Sequence, residues 1–313
     1  MKVMSDILNR KVEDYSVKGK TIPEIVQGME NAGGFSGKDF SIGVKILKDM
    51  KNDKKCLKFL CFPACLIATG LRGVIVEMIK EGLVDVIFTT SGSLAHDLGK
   101  SWGGHHYHGS FELDDEKLAK KDIYRLGNIL IPSSSYSELL ENPMKEILSE
   151  LSKQKTSWGP RELIHEFGLR VKDENSILHQ AAKRNIPIFV PGITDGAFGT
   201  QLLWFAQDND FTIDILKDQK ELLDLTFKDQ KTGALILGGG ISKHHLIWWA
   251  QFSKGLDYAV AVTTASERDG SLSGARLKEA ISWGKVSTNA KKVTIDGDAT
   301  TLLPFLMAGV YEK

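Results

Sequence analysis

Along the chain, apolar residues gather in short β-branched runs separated by longer stretches in which they recur every three or four positions. The runs Leu57 to Phe62, Val84 to Thr90, Ile186 to Val190, Ala234 to Leu237, Tyr258 to Thr264 and Val293 to Ile295 are bounded by glycine, proline or aspartate. That pattern predicts buried parallel strands. Between the strands, Met144, Ile147, Leu148 and Leu151 fall at i, i+3, i+4 and i+7, the spacing of one helix face. Ser176 precedes Ile177, Leu178, Ala181 and Ala182 as a helix N-cap. Strands alternating with helices imply a doubly wound α/β fold, a mainly parallel sheet with helices on both faces.

No internal repeat, low-complexity tract or Pro/Ser-rich linker divides the chain. A single α/β domain over residues 41–313 is therefore expected. Residues 1–40 are polar, with a helix-like stretch from Pro23 to Met29 ending at Gly33-Gly34, and read as a helical appendage. The composition, 42% hydrophobic and 26% charged, is that of a globular protein and argues against wholesale disorder. Forty basic residues balance forty acidic ones, so net charge points to neither nucleic acid nor a membrane surface. Cys56, Cys61 and Cys65 lie within ten residues and form no disulfide framework, which favours a reducing compartment. The opening MKVMSDILNRKVEDY lacks the apolar core of a signal peptide and no run reaches ~20 apolar residues, so a cytoplasmic location is expected.

In open α/β sheets ligands bind beyond the carboxyl ends of the strands. The segments following the predicted strands are Thr89-Thr90-Ser91-Gly92-Ser93, Thr194-Asp195-Gly196, Gly238-Gly239-Gly240, Thr263-Thr264-Ala265 and Asp296-Gly297-Asp298-Ala299, all small, polar or glycine-rich. LILGGGISKHH places three glycines between a strand and a helix, which allows either a tight turn or close backbone approach to a cofactor. Asp298 is either an N-cap or a ligand to an adenosine ribose. Further on, ERDGSLSGARLKEAISWGK closes on Glu279, Trp283 and Lys285. Glu279 and Trp283 are four apart, so on one helix face they would set a carboxylate beside an indole, a pair able to hold an alkylammonium. Lys285 follows Gly284. In the same pocket, desolvation and a neighbouring cation would favour its neutral, nucleophilic amine.

LILGGGISKHH, DYAVAVTTASERDGSLSGA and EAISWGK, in this order, resemble the signature blocks of the deoxyhypusine synthase family. The likeness extends through VDVIFTTSGSLAHDL, RLGNILIP and IPIFVPGITDGAFG, and His96-Asp97 after TTSGSL resembles the archaeal-type branch. The resemblance implies a Rossmann-like domain assembled as a homotetramer, with NAD and the active site at a subunit interface. It implies NAD contacts from Thr90, Ser91, Gly92, His96, Asp195, Gly239, Thr264, Ala265, Asp298 and Ala299. The amine pocket would comprise His244, Gly270, Ser271, Glu279, Trp283 and Lys285, with Asp269 close by, His244 as proton acceptor and Lys285 as nucleophile. The implied reaction moves the aminobutyl group of spermidine through an imine on Lys285 to a lysine of the hypusine-bearing translation initiation factor.

The chain departs from the family pattern at Ala64-Cys65-Leu66-Ile67-Ala68, where a polar run is usual. Ala95, Thr200 and Leu272 stand where eukaryotic members carry carboxylates, leaving Asp97, Asp269 and Glu279 to meet a polyamine. Reaction type is thus better specified than substrate. A homospermidine synthase-like transferase acting on a small amine, and a non-catalytic NAD-binding partner subunit, are the competing readings. Retention of Lys285, His244 and Glu279 speaks against the latter. His105-His106-Tyr107-His108 with Cys61 and Cys65 lacks any standard zinc spacing, so no metal is expected. His165 and His179 lie in helical patterns and receive no role.

Overall fold

The computed structural model describes residues 10–312, so residues 1–9 of the expected appendage lie outside it. The strands in chain order are β1 (Cys56–Cys61), β2 (Val86–Phe88), β3 (Tyr107–His108), β4 (Ile123–Leu126), β5 (Ile129–Pro132), β6 (Ser157–Trp158), β7 (Ile188–Phe189), β8 (Thr212–Ile213), β9 (Lys231–Leu237), β10 (Leu256–Thr263) and β11 (Val286–Asp296). Six of them form one sheet in the order β11-β10-β9-β1-β2-β7, and every pairing in it is parallel. Counted along the chain this is the 3-2-1-4-5-6 order of a doubly wound dinucleotide fold, with its direction of winding reversing between β1 and β9.

Alternate residues of each strand enter different cores. Leu60, Ile87, Leu235, Leu237, Val260 and Val262 join one hydrophobic cluster, while Phe59, Cys61, Val86, Phe88, Ala234, Ile236, Ala259 and Ala261 join the other. A strand's two-residue period turns successive side chains to opposite faces, and here helices cover both. The first cluster includes Leu47 and Met50 of the helix Phe35–Asn52, Ile75 of Leu71–Lys80 and Leu306 of Ala299–Tyr311. The second includes Leu246 and Trp249 of the helix Ile241–Ala250.

The structure shifts several expected boundaries. The run Val84 to Thr90 contributes only Val86–Phe88 to the sheet, because Thr89 turns its hydroxyl onto Phe62 O at 2.7 Å and Thr90 stands at the N-cap of the next helix. Val293 to Ile295 is the end of the longer β11, whose polar residues Asn289, Lys291 and Lys292 hid it. As an edge strand, β11 can keep such residues in solvent. The antiparallel sheet β3-β5-β4 and the parallel pair β6-β8 were not foreseen. The helix Ile22–Ala32 begins in a Thr21/Glu24 capping box and ends at Gly33 with φ 68°. The helix Phe35–Asn52 runs unbroken through residue 40, where the sequence divides appendage from catalytic domain, and buries Phe40, Val44 and Leu47 in the main core. That division falls inside one element. No helix among the described residues is long and apolar enough to cross a membrane.

Candidate active site

Parallel strands deliver all their carboxyl ends to one edge of the sheet. Thr90, Ser91 and Gly92 follow β2, Asp195 follows β7, Gly239 follows β9, Thr264 and Ala265 follow β10, and Asp298 and Ala299 follow β11. The helix Ser91–Ser101 starts directly from β2 and presents its amino end there. The hydroxyl of Ser91 is buried without a hydrogen-bond partner. Backbone elements crowd around it. A Cβ on Gly92 would sit 2.9 Å from the Ala64 Cβ, and Gly196, at φ 116°, lies close to both Ser91 and the Gly92 amide. Asp298 caps the helix Ala299–Tyr311, accepting from Thr300 N at 2.9 Å and Thr301 N at 3.3 Å. Its capping role is thereby visible in the structure.

His96 is 6% exposed and packs between His106 and Tyr136, with ring centroids 5.2 Å and 4.8 Å away. Burial, with help from His106 and Lys100, pushes its pKa down to about 3. Its Nδ1 is buried and unpartnered. The next residue does something quite different. Asp97 is fully buried and accepts from Arg72 Nε (2.6 Å), Ser176 Oγ (2.6 Å), Ile177 N (3.1 Å) and Leu178 N (3.0 Å). Its carboxylate ties three helices together and is not free to meet a polyamine, a correction to the sequence reading. Lys100, unnoticed in the sequence, donates to Ile67 O, Ala68 O and Thr69 O and so holds the turn after β1. Burial first, then the nearby Arg72, lowers its pKa to about 8. The departure Ala64 to Ala68 is thus an apolar turn, with Leu66, Ile67 and Ala68 buried and fixed by its carbonyls.

The second constellation forms between the helix Ile241–Ala250 and the segment that descends from β10 to β11. His244, Trp248, Glu279, Trp283 and Lys285 line a cavity of about 280 Å³, and Leu272, Ala275, Arg276 and Lys243 are also part of its wall. Glu279 and Trp283 do not share an ordinary helix as the spacing suggested. Glu279–Ile281 is a single 3₁₀ turn, and the chain leaves it through Gly284 at φ 67°. That left-handed step sends Lys285 into the fold, where its backbone bonds to Ala280 O (3.0 Å) and Leu256 N (3.1 Å) and its residue is 8% exposed. The Lys285 Nζ lies 5.2 Å from the centroid of Trp283 and 5.7 Å from that of Trp248. His244 stacks on Trp248 with centroids 6.0 Å apart and planes 23° apart. Burial, reinforced by the Lys285 charge, lowers the His244 pKa and keeps its imidazole neutral near pH 7.

Asp269, Gly270 and Ser271 do not line this cavity. They form a turn higher in the same segment, where Asp269 accepts from Ser271 N at 2.7 Å and Gly270 has φ 75°. Lys243 holds this segment in place by donating to Leu272 O (2.7 Å) and Ala275 O (2.8 Å), and Gly239 admits Ser273 against the glycine-rich turn. Lys243 and Trp248 escaped the sequence reading, although both lie within reach of the KHH signal. Lys285 stands at the foot of the sheet, beside the start of β10, and the strand-end loops stand at its head. The eight residues of β10, roughly 25 Å of strand, run between the Lys285 backbone and Thr264, while the cavity reaches back toward the strand ends through His244, four residues after Gly240. Among the described residues no group of three or more His, Cys, Asp or Glu is placed to hold a metal ion.

Comparison with known proteins matches residues 24–310 to the family model described as deoxyhypusine synthase. The chain is 49% identical to the "Probable deoxyhypusine synthase" of Thermoplasma acidophilum, covering 97% of this chain and 98% of the relative. It is 47% identical to the protein of the same name from Ignicoccus hospitalis, covering 98% of each. The structure titled "Crystal Structure of a putative deoxyhypusine synthase from Entamoeba histolytica" shares the fold with a TM-score of 0.67 at 21% identity, over 95% of this chain and 96% of that one.

Proposed function

The chain belongs to the deoxyhypusine synthase family, and we propose that it transfers the aminobutyl group of spermidine to a lysine of the hypusine-precursor translation initiation factor through an imine on Lys285. The observation that carries this reading is the enclosure of Lys285 with a neutral imidazole, a carboxylate and two indoles in one cavity. An amine nucleophile, a base and an ammonium-binding wall are what imine transfer requires.

The strand-end residues fit a dinucleotide. Ser91 offers an unpartnered buried hydroxyl at a helix amino end, His96 an unpartnered ring nitrogen, and Gly92 and Gly196 a close backbone approach. Thr90, Asp195, Gly239, Thr264, Ala265, Asp298 and Ala299 border the same edge. NAD held there would accept hydride from the carbon beside the secondary amine of spermidine and later return it. His244 takes the proton from that nitrogen, for which it must be neutral. Lys285 adds to the resulting C=N bond, and 1,3-diaminopropane leaves. The acceptor lysine then exchanges with Lys285, and reduction of its imine gives deoxyhypusine. Only a primary amine can form and exchange these imines, so arginine cannot replace Lys285.

The amine pocket opens onto an exposed aromatic surface, which calls for a covering partner subunit. A homotetramer with interfacial sites meets that requirement. Trp248, Phe252, Phe227 and Trp283 form a solvent-exposed aromatic face running out from the cavity, of the kind subunits cover. Mass spectrometry tests the function: wild-type protein with spermidine, NAD and the initiation factor should yield deoxyhypusine, and Lys285→Arg should yield none. Undiminished product from Lys285→Arg would remove Lys285 from the mechanism, and label passing only to a small amine would favour a homospermidine synthase-like activity.

A further inference from the structure

The amine pocket is short of negative charge. Among the described residues Glu279 is the one carboxylate that lines it, while Lys243, Arg276 and Lys285 all reach its wall. Two of these cations are already engaged. Arg276 pairs with Asp296 at 2.5 Å and with Glu267 at 3.5 Å, and Lys243 is spent on two carbonyls of the overlying segment. A polyamine entering the cavity therefore meets one acidic group and the faces of two indoles. Trp283 is 66% exposed and Trp248 44% exposed, and the Lys285 nitrogen lies within cation–π reach of both rings.

We infer that Trp248 is a specificity-determining residue: with Trp283 it forms a two-walled aromatic slot that binds the alkylammonium chain of the amine substrate, π faces supplying the attraction that additional carboxylates would otherwise give. The slot has the right neighbours. The imidazole of His244 stacks on the Trp248 indole, one helical turn away, so a substrate nitrogen lying along the indole comes close to the proton acceptor. Once Lys285 carries its imine, its own nitrogen no longer competes as an ammonium for the two ring faces. The slot then selects on positive charge and on a slender polymethylene chain, whereas a ring of carboxylates would select on the number and spacing of charges.

The inference rests on covalent amine transfer at Lys285, and the test separates the two. NAD-saturated protein is incubated with graded spermidine, treated with borohydride, and the adduct on Lys285 is measured by intact mass and peptide mapping. Trp248→Leu is expected to raise the half-saturating spermidine concentration about 5- to 30-fold, the range of a partly to fully desolvated cation–π contact, with the adduct at saturation unchanged within about twofold. Trp248→Phe keeps an aromatic face and should recover most of the loss. A half-saturation unchanged in the leucine variant, or equal losses for leucine and phenylalanine, would overturn the slot. If the leucine variant does not fold, Trp248→Met takes its place with the same expectations. Absence of any adduct in the wild type would instead overturn the covalent reading, and the slot with it.

Discussion

Asp97→Asn isolates what the structure newly assigns to a residue that the sequence offered to the substrate. The Asp97 side chain is 1% exposed and that of Arg72 is 11% exposed, so the pair is held in a poorly solvated interior. The carboxylate accepts from a guanidinium, a hydroxyl and two backbone amides at the start of the helix Ile177–Lys183. Asparagine keeps the shape but removes the charge, and its NH₂ must point at one of these donors. Removing one partner of a buried ion pair costs about 3–5 kcal/mol, because the other charge stays behind. Asp173, 2.8 Å from Arg72, offsets part of this and favours the lower end. At ~2.1 cal/mol/K per residue, unfolding 313 residues carries an entropy of roughly 0.66 kcal/mol/K, so the melting temperature should fall by about 5–8 °C. Differential scanning calorimetry at matched protein concentration measures it. The half-saturating spermidine concentration in the borohydride assay should stay at the wild-type value. A melting temperature within 1 °C of wild type (about 0.7 kcal/mol) would refute the reasoning. So would a large rise in the spermidine requirement, which would return Asp97 to the amine site.

Other measurements follow from the same geometry. Burial, aided by the neighbouring His244, holds His245 at about 4, and burial with His106 and Lys100 holds His96 at about 3, both below the ordinary 6.5. The unfolded chain therefore binds more protons between pH 6.5 and 4, so stability is fully present above about pH 7 and declines as pH falls through that window. His245→Phe should flatten part of this slope in melting temperature between pH 7 and 5, and an unaltered slope would contradict the assignment. His244 is also depressed, so the acid limb of the transfer rate should fall below pH 6.5; a rate that halves above pH 7 would exclude His244 as the acceptor. At Gly239, a Cβ would meet Ser273 Oγ at 2.2 Å and Ser273 Cα at 2.4 Å. Gly239→Ala should therefore destabilise by about 1–3 kcal/mol and loosen the Leu272 and Ala275 carbonyls from Lys243, with crystallography or hydrogen exchange reporting the displaced segment. An unmoved segment with wild-type stability would show that the turn has more room than its geometry implies.

The doubly wound sheet was legible because strands buried on both faces are nearly continuously apolar, as in Leu57 to Phe62, interrupted by Lys58, and in Tyr258 to Val262. Strand β11 was legible only at its buried end, since its polar middle lies on an edge where solvent tolerates lysine. The meander β3-β5-β4 left no signal: its strands are two to four residues long and owe their state to pairing with each other. Glu279, Trp283 and Lys285 could be singled out because they are neighbours in the chain, and the strand-end loops because parallel strands bring all such loops to one edge.

What no local pattern carries is which distant side chains meet. Trp248 joins Lys285 because the helix Ile241–Ala250 packs beside the descending segment, and Asp97 is drawn away from the substrate because Arg72 and the amino end of the helix Ile177–Lys183 converge on it. Hydrophobic period and strand-end chemistry are properties of neighbouring residues, so the chain alone determined the layers and singled out the strand-end loops and the Glu279, Trp283 and Lys285 cluster. Charge pairing and burial depend on residues far apart in sequence. Only the packed tertiary structure could decide that Asp97 is a strut and that Trp248 is a wall of the pocket that holds Lys285.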